Sequence, residues 1–207
     1  MRVPSELSWV AHTNERINWD NVWKSKVSKL HENFLRDFVW KVTHRILPVN
    51  SRLHSWAGMK VTPNCKRCGQ IETLEHALLE CPEVKQFWRK VAAIITRING
   101  KQILLEDKVV FLGIFQSVNL HAYNLINYIM DVAKLSCWKN RVSINFEHNK
   151  LVSLEGFFKS YVKNRLVCEK ELLATKHSTI KCFCQRWCIG GVLAKVEDEK
   201  IVFQCFM

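Results

Sequence analysis

The spacing Cys65-x2-Cys68-x7-His76-x4-Cys81 constrains this chain more than any other feature. A C-x2-C turn points two thiolates at one ion about 2.3 Å away. Gly69, directly after the second cysteine, suits such a turn because glycine takes positive φ freely. His76 and Cys81 supply the other half of a tetrahedron from an adjacent turn or short helix. Three thiolates and one neutral imidazole match soft, tetrahedral Zn²⁺. Four protein donors leave no place for water, so a site of this kind holds a fold together instead of running a reaction. The ion with three thiolates carries a charge of about −1, which Lys66 and Arg67 inside the turn can offset while extending a basic patch.

The other cysteines read differently. His177, Cys182, Cys184 and Cys188 follow H-x4-C-x-C-x3-C, with Phe183 and Trp187 interleaved and no C-x2-C half. They are expected to be packing residues, as are Cys137 and Cys168. Nine cysteines are an odd number, which a disulfide framework leaves unpaired. Residues 1–10 contain no apolar stretch of signal-peptide length. No apolar run of about 18 residues occurs either. The expectation is an intracellular chain, nuclear or cytoplasmic, with no membrane span.

Hydrophobic residues make up 48% of the 207, with eight Trp and eleven Phe. That is enough apolar mass to offset chain entropy with a core. Seven Gly and four Pro are too few for the many turns of a β-sandwich. Apolar residues at Val22, Trp23, Val27, Leu30, Phe34, Phe38, Val42 and Ile46 step by threes and fours. They predict an amphipathic helix from Asp20 to about Arg45, broken at most once and ended by Leu47-Pro48. A short helix follows from Asn50-Ser51 through Trp56, then a loop over 59–72. Pro82 opens a helix whose broad face is Val84, Phe87, Trp88, Val91, Ile94, Ile95 and Ile98, and Asn99-Gly100 stops it. Residues 109–115 read as either a short strand or a buried turn. A long helix is predicted from about Asn119 to Val142, another from the N-cap Ser153 to about Ala174, and a hairpin within 189–206. The fold class expected is mainly α: a helical domain with a small CCHC zinc-binding loop and a short C-terminal hairpin. Two domains are expected, one over 19–100 and a helical C-terminal region over 101–207.

The charge is uneven. Against a net +12 for the chain, residues 24–67 hold ten basic residues and only Glu32 and Asp37 as acids, net +8. The same stretch carries Trp40, Trp56, His44 and His54. Cations among aromatics suit a phosphate backbone and, where bases are unpaired, stacking. The candidate nucleic-acid contacts are Lys41, His44, Arg45, Arg52, Lys60, Lys66 and Arg67, with RNA and DNA both open. No phosphate-binding loop, dinucleotide fingerprint, nucleophile elbow or H-E-x-x-H occurs. Glu80, Glu83, Asp131 and the acids at 197–199 are expected on solvated faces. The chain is expected not to be an enzyme.

Trp40-Lys-Val-Thr-His-Arg-Ile-Leu-Pro-Val-Asn-Ser-Arg-Leu53, then Cys65-x2-Cys68, Glu72-Thr-Leu-Glu-His76, Cys81 and Trp88, resembles the zinc-binding region that follows the polymerase in non-LTR (LINE-type) retrotransposon reverse transcriptases. The resemblance covers residues 19–98. It implies a zinc-stabilised, mainly helical domain that helps hold RNA template or target DNA. Cys65, Cys68, His76 and Cys81 would be the ligands, and Arg45 and Arg52 part of a basic stretch. The polymerase's own Tyr/Phe-x-Asp-Asp pair is absent, so a retrotransposon-derived, non-catalytic module is implied. The alternative is a zinc-stabilised protein-interaction scaffold with a protein partner.

Overall fold

Local signals start or stop several of the helices, those over Pro82–Asn99, Leu154–Ala174 and Ile180–Trp187 among them. The computed structural model describes residues 4–14, 16–26, 30–57, 61–115, 119–146, 151–175, 179–198 and 200–205. The helices in order are α1 (Pro4–Thr13), α2 (Trp19–Lys26), α3 (Asn33–Thr43), α4 (Asn50–Ala57), α5 (Pro82–Asn99), α6 (Leu120–Phe146), α7 (Leu154–Ala174) and α8 (Ile180–Trp187). One antiparallel hairpin follows, β1 (Ala194–Glu197) and β2 (Lys200–Phe203), in register Ala194 with Phe203. The fold is therefore mainly α with a short C-terminal hairpin, as expected.

Pro82 opens α5, and Gly100 closes it at φ 73. All seven residues predicted for its inner face are buried. The Ser153 side chain accepts a hydrogen bond from the Gly156 N–H and starts α7. The predicted Asp20–Arg45 helix is two, α2 and α3. The buried face of α3 is Leu35, Phe38, Val39 and Val42, one row at helical spacing. Phe34 and Ile46 fall off that row and are exposed. The 109–115 segment is a buried π-helical turn, Lys108–Leu112, ended by Gly113 at φ 85. A Cβ at Gly113 would stand 2.9 Å from Ser25 Oγ, so only glycine fits there.

Helix α6 is the axis. It packs against α3, α5, α7, α8 and the turn that carries His76. It is buried nearly all round, and polar groups share its interior. Asp131, expected on a solvated face, is fully buried among Lys26, His31 and Lys134. Cys137 is buried as expected, whereas Cys168 on α7 is exposed because the inner row there is Phe158, Val162, Leu166 and Glu169. One continuous core runs from Trp9 to Ala194. Among the described residues, no helix is long and apolar enough to cross a membrane.

Candidate metal centre

The first half of the site is a tight knuckle. The Cys65 N–H donates to Gln70 O at 2.7 Å, and the Gly69 N–H donates to Cys65 O at 2.8 Å. Gly69 takes φ 78 to close the turn. Asn64 and Ile71 pair across its base, and Asn64 Nδ2 donates to Gly69 O at 2.9 Å. The second half is a π-helical turn, His76–Glu80, whose entry is held by the His76 N–H donating to Thr73 Oγ1 at 3.1 Å. Cys81 follows with its N–H on His76 O, immediately before Pro82 and the positive end of α5.

These elements bring the four predicted donors together. Cys65 Sγ lies 4.0 Å from Cys81 Sγ, Cys81 Sγ lies 3.7 Å from Cys68 Sγ, and Cys68 Sγ lies 3.2 Å from His76 Nε2. All four ligand atoms lie within 4.8 Å of one another. Bonds of about 2.3 Å to sulfur at tetrahedral angles require sulfur–sulfur edges of about 3.8 Å. The donor set fits Zn²⁺ in both chemistry and size, and the domain's cofactor is Zn²⁺. Burial lowers the His76 pKa, with Glu72 opposing and Arg67 assisting. The imidazole is thus neutral near pH 7, the form that ligates. Burial pushes the Cys81 thiol up to about 12, against a backbone hydrogen bond from Glu83 and with Cys65 and Cys68 adding to the rise. An ion must displace that proton, so loading is a proton-releasing event.

The two basic residues of the knuckle reach inward to α6. Arg67 donates to Ala77 O at 3.0 Å, Cys137 O at 2.6 Å and Asn140 Oδ1 at 3.0 Å. Lys66, exposed as a whole, donates to Asn145 O at 3.0 Å. Glu72 is buried and accepts from the Asn50 N–H and from Arg141. Trp88 Nε1 donates to Leu78 O at 2.8 Å and closes the far side. Glu72 was recognisable in the motif. Its partner Arg141 was not, because it lies 69 residues away.

The other candidate residues are scattered around α3 and α4. Arg45 adopts φ 56, pairs with Glu75 at 2.6 Å and lies 4.4 Å over the Trp9 ring. Arg52 donates to Arg45 O and lies over Trp56. Lys41 pairs with Asp37 at 2.6 Å. His44 shares a hydrogen bond with Ser5 Oγ. Lys60 and His177 lie outside the described residues. Cys182, Cys184 and Cys188 are half-buried, and no second metal-sized group of three or more donors forms among the described residues. Helix α1 has no periodic signal in the sequence, since PSELSWVAHT offers one core Trp and no apolar stripe. It belongs to the domain all the same: Trp9 is fully buried, with Nε1 donating to Thr43 O at 2.7 Å.

No curated protein and no solved structure matches this chain. Residues 7–88 match a family model described as zinc-binding in reverse transcriptase. The match begins within α1, two residues before Trp9, and ends on Trp88. Since that span encloses all four converging donors, the chain carries a reverse transcriptase zinc-binding domain over residues 7–88.

Proposed function

We propose that this domain binds nucleic acid without acting on it chemically. The observation that carries the reading is the net +8 between residues 24 and 67, inside a zinc-binding domain of the reverse transcriptase type. The two acids of that stretch are paired within the molecule, Glu32 facing Arg165 at 3.5 Å and Asp37 holding Lys41 at the surface. Lys24, Arg36 and Lys66 are exposed cations of the same stretch. Four protein donors complete the zinc tetrahedron, which supports a structural ion.

The test is a titration with RNA, single-stranded DNA and duplex DNA at two salt concentrations. Phosphate contacts release counterions, so four contacts to a single strand lower affinity about 50-fold between 50 and 200 mM salt. Replacing Lys24 and Arg36 by Ala should weaken binding to all sequences alike. Arg45 and Arg67 are unsuitable for this purpose because their partners hold the fold. A flat salt response, or no binding at low salt, sinks the proposal. A protein-interaction scaffold is the second reading, favoured by exposed Phe34, Trp40 and Trp56. A stoichiometric protein partner that survives nuclease treatment would support it.

A further inference from the structure

Four aromatic rings form a column on the outside of α2 and α3. Trp19 and Trp23, one helical turn apart, have ring centroids 6.0 Å apart and planes at 33°. Trp23 stacks on His44 at 5.4 Å and 26°. His44 meets Trp40 at 4.4 Å and 47°. The column starts at the core, where Trp19 packs against it, and ends in solvent at Trp40, which is 50% exposed. The Ser5 hydroxyl holds His44 in the middle at 3.0 Å, so the rings are ordered before any ligand arrives.

An apolar docking site would bury its aromatics in a groove among other apolar residues. Here the column ends among charges. Arg36 stands one helical turn before Trp40 and Lys24 follows Trp23, both exposed, while Lys41 after Trp40 is paired with Asp37. A π-face at the end of a stack, with cations beside it, is complementary to an unpaired base and its phosphates. A duplex keeps its bases inside its own stack and cannot use it. We infer that the Trp19–Trp23–His44–Trp40 column is a stacking platform for the bases of a single-stranded nucleic acid, with Trp40 as the contact ring. This rests on the nucleic-acid reading above and narrows it to unpaired bases.

The experiment uses the full zinc-loaded chain and three oligonucleotides of equal length: a single strand with bases, an abasic single strand and a duplex. The base-bearing strand is run as both ribose and deoxyribose forms, since either can present the base. It should bind about tenfold more tightly than the abasic strand and quench tryptophan fluorescence. Trp40→Ala should abolish that tenfold advantage and leave abasic binding unchanged. Trp40→Phe should keep most of the advantage. Trp40→Leu keeps apolar area without a π-face and should behave as Trp40→Ala. Equal affinity for base-bearing and abasic strands, or a Trp40→Leu protein that binds like the parent, overturns the platform and leaves the phosphate reading standing. Failure to bind any of the three at low salt overturns both. Trp40 is half exposed, so the variants keep the fold, and far-ultraviolet circular dichroism verifies it.

Discussion

Arg141 on α6 donates two hydrogen bonds to a single oxygen of Glu72, from Nη2 at 2.7 Å and from Nε at 3.0 Å. The same oxygen accepts the Asn50 N–H at 2.8 Å, and Arg141 Nη2 also reaches Asn50 Oδ1 at 2.8 Å. Both charged side chains are almost wholly buried. One ion pair thus joins α4, the segment leading into His76, and the central helix. Removing one partner of a buried pair strands the other charge. Arg141→Ala should therefore cost about 3–5 kcal/mol of unfolding free energy, read from urea denaturation. A loss below about 1 kcal/mol would mean that this pair does not tie α4 to the central helix.

Zinc should be part of folding. Purified protein should contain about one Zn²⁺ per chain by elemental analysis. Cys65→Ser or His76→Ala should lose the ion and lower Tm, because ligation free energy is folding free energy. A strong chelator should reproduce the loss in the parent protein. Loading near pH 7 should release protons, that of the elevated Cys81 thiol among them, seen as a buffer-dependent heat in calorimetry. The elevated Cys81 thiol makes affinity fall as pH drops, since the proton then competes more strongly. A metal-free chain with an unchanged Tm would refute the site.

The features legible in the sequence are those carried by neighbours in the chain. The CCHC spacing, Pro82 and Gly100 around α5, and the Ser153 cap each act within a few residues, and all recur in the fold. What escaped is long-range. Lys26, His31 and Asp131 meet across 100 residues or more, and a sequence assigns a lone Lys or Asp to solvent by default. Arg67 looks like a surface cation in a basic stretch, yet its three bonds end on α6 and the turn after His76. Helices α1 and α8 are short and bury one or two rings each, too few for a periodic stripe.

The Asp131 cluster makes stability depend on pH in a defined direction. Asp131 sits 2.6 Å from Lys134, 2.8 Å from His31 and 3.4 Å from Lys26. Burial pushes its carboxyl up, but the facing lysines and the hydrogen bond from His31 outweigh this and hold it well below the usual range. Its stabilisation is complete above about pH 5 and is lost progressively as pH falls below the ordinary carboxylate value, where the unfolded chain takes up the proton first. Lys134 moves the other way: burial lowers its pKa to about 7, with Asp131 opposing and Lys26 assisting. The unfolded lysine titrates at about 10.4. Between these values the unfolded chain binds the extra proton, so stability should rise from about pH 7 to pH 10. Lys134→Met should remove that rise, at a cost in stability at pH 7 because it takes one partner from the buried Asp131, a cost limited by Lys26 and His31, which still face that carboxylate. Urea midpoints of parent and variant at pH 7 and 9.5 check this, and parallel pH dependences would contradict it.

The C-terminal hairpin should be locked to the zinc-binding half through Gly190. This residue lies in the 3-10 turn between α8 and β1, at φ 65. A Cβ there would come 2.6 Å from the backbone oxygen of Arg97, in the last turn of α5. Backbone cannot swing aside as a flexible side chain does, so α5 and the turn would have to separate. Gly100 provides the comparison: its φ is 73, but a Cβ would meet nothing within 4 Å. Gly100→Ala should cost only the left-handed backbone term, about 1 kcal/mol. Gly190→Ala should cost at least about 2 kcal/mol, a fall in Tm of about 4–8 °C for a chain of this size. Hydrogen exchange should then show lost protection at the C-terminal end of α5 and in the hairpin together, with the knuckle around Cys65 and Cys68 still protected. Equal costs at the two glycines would show that the hairpin is not seated on α5.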